Sequence, residues 1–184
     1  LPKIYNNQKK NIYKTKRKKK IVWSVQRSKG LQDFINIWNL KIKPLYPKAE
    51  LHVFSINPKK NTRYKKNNIF FHGRVLRKKL INFYKQSSGM ICLGFDETFC
   101  LNAIESMRMG LPVISLCETA LKELIKHNRN GFAVNSLGNI DKTIIKLFSL
   151  SDTKLNKLSK SSIAFAEKYN SQKIFKKWDK LISN

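Results

Sequence analysis

The stretch ETFCLNAIE, residues 97–105, sets Glu97 and Glu105 eight positions apart in a chain of 184 residues whose formal charge is +27. If residues 98–109 form a helix, Glu97 stands at its cap and Glu105 two turns in, about 12 Å further along the axis. That is too far for two carboxyls acting on one glycosidic bond, which lie about 5–9.5 Å apart. Eight steps of about 100° leave them within about 80° of each other, so one elongated ligand can touch both. Between them fall the backbone N–H groups of the helix start, around Phe99, Cys100 and Leu101, and helix starts favour phosphate. Acid, anion site, acid is also the order of sugar hydroxyl, diphosphate and ribose hydroxyl in a nucleotide-sugar. The same spacing equally suits a capping acid, which contributes about 0.3–1 kcal/mol, and a half-exposed helix glutamate with no ligand at all.

These residues need elements to hold them. IVWSV (21–25), LHVFSI (51–56), IFFHG (69–73), MICLG (90–94), PVISL (112–116) and GFAV (131–134) read as short buried strands. Between the first two runs a helical stripe, Leu31, Phe34, Ile35, Trp38, Ile42 and Leu45, closed by Pro44 and Pro47. A helix is expected around Leu80, Phe83 and Tyr84, a short one near 121–125, and several after residue 140. Gly110 and Pro112 end the helix that carries Glu105. NPKKNTRYKKNN (57–68) reads as a polar loop, and residues 6–20, ending in KTKRKKK, as an exposed basic arm. Strands apolar on both faces and alternating with helices predict a parallel sheet covered on two sides. Ligands then bind beyond the carboxyl ends of the strands, where Arg27, Lys29, Gly73, Arg74 and residues 94–99 fall.

At this length, and with 41% apolar residues, the chain fits one domain or half of a two-domain enzyme. Cys92, Cys100 and Cys117 each lie in an apolar pattern and read as buried, reduced thiols of a cytosolic protein. His52, His72 and His127 are scattered in sequence and suit no zinc spacing. The positive field, steepest before residue 80 where Asp33 and Glu50 are the sole acids, attracts phosphate in some form: nucleic acid, an anionic membrane surface or a phosphorylated ligand. Lysines that are merely solvated would give the same composition.

With its continuation, ETFCLNAIESMRMGLPVIS closely resembles the E-[ST]-F-G-x-x-x-x-E-A-M-A-x-G-x-P-V-I signature of group 1 glycosyltransferases of GT-B fold. SKGLQDFINIWNLKIKPLYPKAELHVF, NIFFHGRVLRKKLINFYKQSSGMIC and ETALKELIKHNRNGFAV resemble the family's flanking segments, so that residues 20–135 match in order. The resemblance implies an α/β, Rossmann-like doubly wound parallel sheet: the carboxyl-terminal, donor-binding half of such an enzyme. It implies retaining transfer of a sugar from a nucleotide donor to an acceptor hydroxyl, in cell-envelope glycan synthesis. Glu97 would bind donor-sugar hydroxyls, with Lys29 on the diphosphate and Arg27 beside it as the expected catalytic set. The backbone of Phe99, Cys100 and Leu101 would meet sugar and phosphates, Glu105 the ribose, and the turn Gly73-Arg74-Val75 the nucleobase. No metal and no cofactor are implied, the nucleotide-sugar being a substrate.

The sequence departs from the pattern in places. Arg27 stands only two residues before Lys29. Cys100 replaces the usual glycine, narrowing the space beside the sugar. Glu118 adds charge near the phosphate site and reads as a solvated loop acid, and Glu123 reads as structural. The expected layout is a basic arm (1–20), the nucleotide-sugar domain (21–170) and a crossover helix (171–184), with the acceptor-binding amino-terminal half absent or supplied by a separate chain. Expected partners are the donor, a glycan or lipid-linked acceptor, and an anionic surface at the inner face of the membrane, with a cytoplasmic location. The competing readings are a basic nucleic-acid-binding module, for which no stacking platform is evident, and a non-catalytic remnant of a transferase half.

Overall fold

The structure is a computed structural model and describes residues 19–55, 64–94, 98–116, 118, 120–170, 175, 178, 179, 181 and 182. Among the described residues seven strands form one sheet: β1 (Lys20–Trp23), β2 (Glu50–Val53), β3 (Tyr64–Lys66), β4 (Ile69–Phe71), β5 (Gly89–Ile91), β6 (Val113–Ser115) and β7 (Gly131–Ala133), in the order β3-β4-β2-β1-β5-β6-β7. All pairings are parallel except β3 with β4. The strands are apolar throughout, with Ile21, Val22 and Trp23 fully buried, because helices cover both faces of a parallel sheet.

Right-handed crossovers fix which face each helix takes. The crossover through α1 (Leu31–Ile37) steps from β1 to β2, the opposite direction along the sheet from those through α2 (Arg77–Gln86), α3 (Leu101–Arg108) and α4 (Leu121–Leu124), so α1 lies on the other face. α5 (Ile140–Phe148) joins the α1 face, where Tyr46 meets Phe148 edge-on at 5.2 Å. α6 (Asp152–Ala166) packs on α3. The expected doubly wound sheet is thus present, and its strand order reverses between β1 and β5.

The stripe expected after β1 forms and buries Leu31, Phe34, Trp38 and Ile42. Trp23 stacks on Phe34 at 5.9 Å, and Phe34 meets Trp38 at 6.2 Å. Each such ring contributes about 1.5–3 kcal/mol by leaving water. Leu45 departs from expectation and is 61% exposed. The reason is a π-helical turn, Trp38–Ile42, closed by Lys43 N–H to the Trp38 carbonyl at 2.8 Å. The wider turn breaks the 3.6-residue period before Pro44 ends the helix.

β3 corrects the reading of residues 57–68 as loop alone. Asn67 and Asn68 carry φ of 51° and 58°, the two-residue turn that suits a tight hairpin, and β3 pairs back on β4. An edge strand needs one partner only and tolerates lysine, so its apolar signal is faint. At the other end of the chain, within the expected crossover helix, Phe175, Trp178, Leu181 and Ile182 are helical and exposed. The basic arm lies outside the described residues apart from its last two positions.

Candidate functional site

Sheets of this kind bind ligands beyond the carboxyl ends of the strands where the order reverses, here between β1 and β5, and α3 follows β5 there. Asn102 Nδ2, in its first turn, donates to the Ser24 carbonyl just past β1. Ser24 Oγ in turn lies 2.8 Å from the Tyr84 hydroxyl of α2. Past β5, Gly94 has φ of 95°, and a Cβ there would stand 3.4 Å from both the Glu118 carbonyl and Ser115 Oγ. The loops after β1, β5 and β6 therefore meet around one helix start.

That helix begins later than expected. α3 starts at Leu101, not at residue 98, and its N-cap is Cys100 in the left-handed region, φ 51° and ψ 66°. The Cys100 carbonyl accepts from Ala103 N at 2.9 Å and Ile104 N at 3.4 Å. Glu97 consequently stands ahead of the cap and not at it, and Glu97 itself lies outside the described residues. Phe99 and Leu101 are exposed at 42% and 66% at the tip, and Phe99 meets Tyr169 edge-on at 5.7 Å. Burial, with the Glu123 charge adding to it, holds the Tyr169 hydroxyl above its ordinary value.

Glu105 lies one turn into α3 and pairs with Arg77, the first residue of α2. Arg77 follows the turn Gly73-Arg74-Val75, where Gly73 has φ of 61°, Arg74 is exposed and Val75 packs on the core. The ion pair thus sets the expected ribose acid beside the expected nucleobase turn. Lys29 is half-buried in the turn that enters α1, its N–H bonded to the Gln26 carbonyl at 3.2 Å.

Arg27 goes elsewhere. Its guanidinium lies over the Phe71 ring at 5.1 Å. Phe71 alternates with Phe70 and His72, which lie on the α2 side; His72 meets Phe83 of α2 at 4.9 Å. Arg27 is therefore turned to the α1 face, where it lines a groove of about 360 Å³ with Leu31, Ile35, Ile69 and Phe71. Cys100, Leu101 and Glu105 thus share the first turns of α3, with Glu105 paired beside the 73–75 turn, whereas the Arg27 guanidinium lies over Phe71 on the α1 face.

Two of the three histidines meet in space, while His127 donates to the Ala133 carbonyl. His52 Nδ1 lies 2.9 Å from His72 Nε2, and His52 Nε2 lies 2.8 Å from Glu50 Oε2. Lys20 pairs with the same carboxylate at 2.5 Å. Burial pushes the His52 imidazole below its usual value, against the pull of Glu50. Burial raises the Glu50 carboxyl, but the hydrogen bonds and charges of Lys20 and His52 outweigh it and hold the group low. Cys92 and Cys100 are buried thiols, as expected, and their sulfurs lie 3.3 Å apart; Cys117 is outside the described residues. Glu118 and Glu123 are exposed. Among the described residues no group of three or more His, Cys, Asp or Glu side chains gathers for a metal ion, and no helix is long and apolar enough to cross a membrane.

The model of the family described as "Glycosyl transferases group 1" matches residues 20–150. The chain belongs to the group 1 glycosyltransferases. No curated protein is significantly similar to it in sequence. Among solved structures it is similar to the C-terminal domain of a group 1 family glycosyl transferase, LpcC, from Francisella tularensis, at 22% identity and a TM-score of 0.65, covering 80% of this chain and 84% of that one. A mutant of TarM from S. aureus, solved with Fondaparinux, alpha-GlcNAc-glycerol and UDP, matches at 16% identity and TM-score 0.74, over 93% of this chain and 37% of that one. HepE from Anabaena, in complex with UDP and glucose, matches at 15% and 0.72, over 90% of this chain and 48% of that one. At these identities the likeness is one of fold, and this chain spans under half the length of TarM and HepE. As a group 1 glycosyltransferase sequence it departs from the signature at Cys100, in the left-handed position where glycine costs nothing.

Sequence reasoning missed three residues that shape this site: Arg77, Asn102 and Tyr169. Arg77 could have been suspected from its place at the head of a helix that follows the 73–75 turn. Nothing local marks Asn102 or Tyr169.

Proposed function

We propose that this chain is the donor-binding half of a glycosyltransferase that moves a sugar, with retention, from a nucleotide-sugar to an acceptor hydroxyl in cell-envelope glycan synthesis. The observation that carries the reading is the Arg77–Glu105 pair, which holds a carboxylate beside the 73–75 turn and one helical turn from the amide-lined start of α3. On this reading the diphosphate sits at that start, where N–H groups, with Lys29 of the turn entering α1, stabilise the charge that grows as it departs. Glu105 accepts from the ribose hydroxyls, the 73–75 backbone meets the base, and Glu97 accepts from the sugar. Arg27, the remaining residue of the expected catalytic set, lies over Phe71 beside the α1 groove. UDP in TarM and HepE supports a uridine donor as the first to try. A lipid-linked or glycan acceptor, an amino-terminal half supplied in trans, and docking of the basic arm on an anionic membrane complete the proposal.

The test is thermal unfolding with a panel of nucleoside diphosphates and nucleotide-sugars. A true ligand at about 100 times its Kd adds about 2.7 kcal/mol, which for a domain of this size is a rise of about 5–10 °C. Glu105→Ala and Lys29→Ala are expected to lose most of it. A panel that leaves the midpoint unmoved overturns the reading.

A further inference from the structure

We propose that Cys92 and Cys100 form an oxidisable dithiol, a modification site at the base of the loop between β5 and α3. Three observations meet there. The two sulfurs lie 3.3 Å apart, so about 1.3 Å of approach brings them to the 2.03–2.05 Å of a disulfide. Cys92 is 1% exposed just past β5, and Cys100 is 7% exposed between the exposed Phe99 and Leu101. Cys100 also sits in a backbone conformation, φ 51°, that strains an L residue, with its sulfur facing Cys92.

Cys100, the better exposed, is the thiol that reacts first. Helix starts favour thiolate, and α3 begins at the next residue. With a peroxide as oxidant, the Cys100 sulfur attacks the O–O bond; an S–O bond forms and water leaves, giving the sulfenic acid. The Cys92 sulfur then attacks it; the S–S bond forms, the S–O bond breaks, and a second water carries off the Cys92 proton. Two thiols give up two protons and two electrons, and one peroxide becomes two waters. The disulfide pins the N-cap of α3 to the end of β5. Resting on the proposed function, this lowers affinity for the donor diphosphate at that helix start until a dithiol reductant reopens the bond.

The experiment treats the whole chain with hydrogen peroxide, then alkylates, digests and maps it. The expected result is a protein about 2 Da lighter, a Cys92–Cys100 crosslinked peptide, reversal by dithiothreitol, and the same crosslink in Cys117→Ser. Alkylation of both cysteines after peroxide, or a crosslink through Cys117 instead, overturns the proposal. UDP-induced thermal shifts are then compared on reduced and oxidised protein, with an affinity loss of about tenfold or more expected on oxidation. Cys92→Ser is expected to keep the reduced protein's UDP response and lose its sensitivity to peroxide. A crosslink that leaves UDP affinity unchanged overturns the coupling to the site. UDP that fails to bind even the reduced protein, with the crosslink present, counts against the donor reading and leaves the modification site standing.

Discussion

Arg77 and Glu105 are ion-paired between the first turn of α2 and the second turn of α3, with side chains 40% and 22% exposed. The pair joins two helices at residues that sequence separates by 28 positions. At this exposure it adds little to stability, under about 1 kcal/mol, so its consequence is to aim a carboxylate.

The first prediction follows from that aim. Glu105→Gln keeps the shape and removes the charge that accepts from ribose hydroxyls. Hydrogen bonds to charged groups contribute about 1.5–3 kcal/mol, so nucleotide affinity measured by calorimetry is expected to fall about 10- to 100-fold. The thermal midpoint without ligand stays within about 2 °C of the parent. An unchanged affinity refutes the ribose assignment.

Asn102 donates to the Ser24 carbonyl and so fastens the start of α3 to the end of β1. Asn102→Ala leaves that carbonyl in a half-buried place without its donor. A loss of about 1–3 kcal/mol is expected in urea unfolding, accompanied by weaker nucleotide binding because the helix tip is no longer held at the crevice. Asn102→Asp, which cannot donate when ionised, is expected to behave like the alanine variant.

At Cys100 two effects oppose each other. Glycine would relieve the left-handed strain of about 1–2 kcal/mol but forgo a buried side chain, so Cys100→Gly is expected to unfold within about 1 kcal/mol of the parent. Cys100→Val puts a β-branched residue in the same conformation and is expected to cost about 2 kcal/mol or more. Equal stability of the two variants would contradict the observed backbone.

The His52 network sets the pH response. Burial depresses the His52 imidazole from the ordinary 6.5, so the unfolded chain binds the proton more readily and stability falls as pH drops below that value. Glu50, held below its ordinary 4.5, adds a second loss as pH falls through its depressed value. Urea midpoints are expected to decline steadily from about pH 7 to about pH 5, and His52→Gln should flatten that decline. A slope that survives in the variant would place the titration elsewhere.

The order of strands and helices was legible because buried runs such as IVW at 21–23 and stripes such as Leu31, Phe34 and Trp38 are local periodicities that burial requires. The helix stop at Gly110 was equally local: its positive φ, with Leu111 N–H bonded to the Ser106 carbonyl at 3.0 Å, ends α3 where the sequence placed the end. The start of α3 was misjudged by three residues, since a left-handed Cys100 contradicts the preference of its own side chain. The edge strand β3 escaped notice because it is paired on one side only and carries the signal in its Asn67-Asn68 turn.

What the sequence by itself determined was the alternating α/β pattern and the residue types at the strand ends, since both follow from contacts between near neighbours. The tertiary structure alone decided which of those residues meet. Glu105 pairs with Arg77, His52 with His72, Cys92 with Cys100, and Arg27 turns to the opposite face. Each of these outcomes depends on strand order and crossover hand, which place distant residues side by side, and no local period encodes that placement.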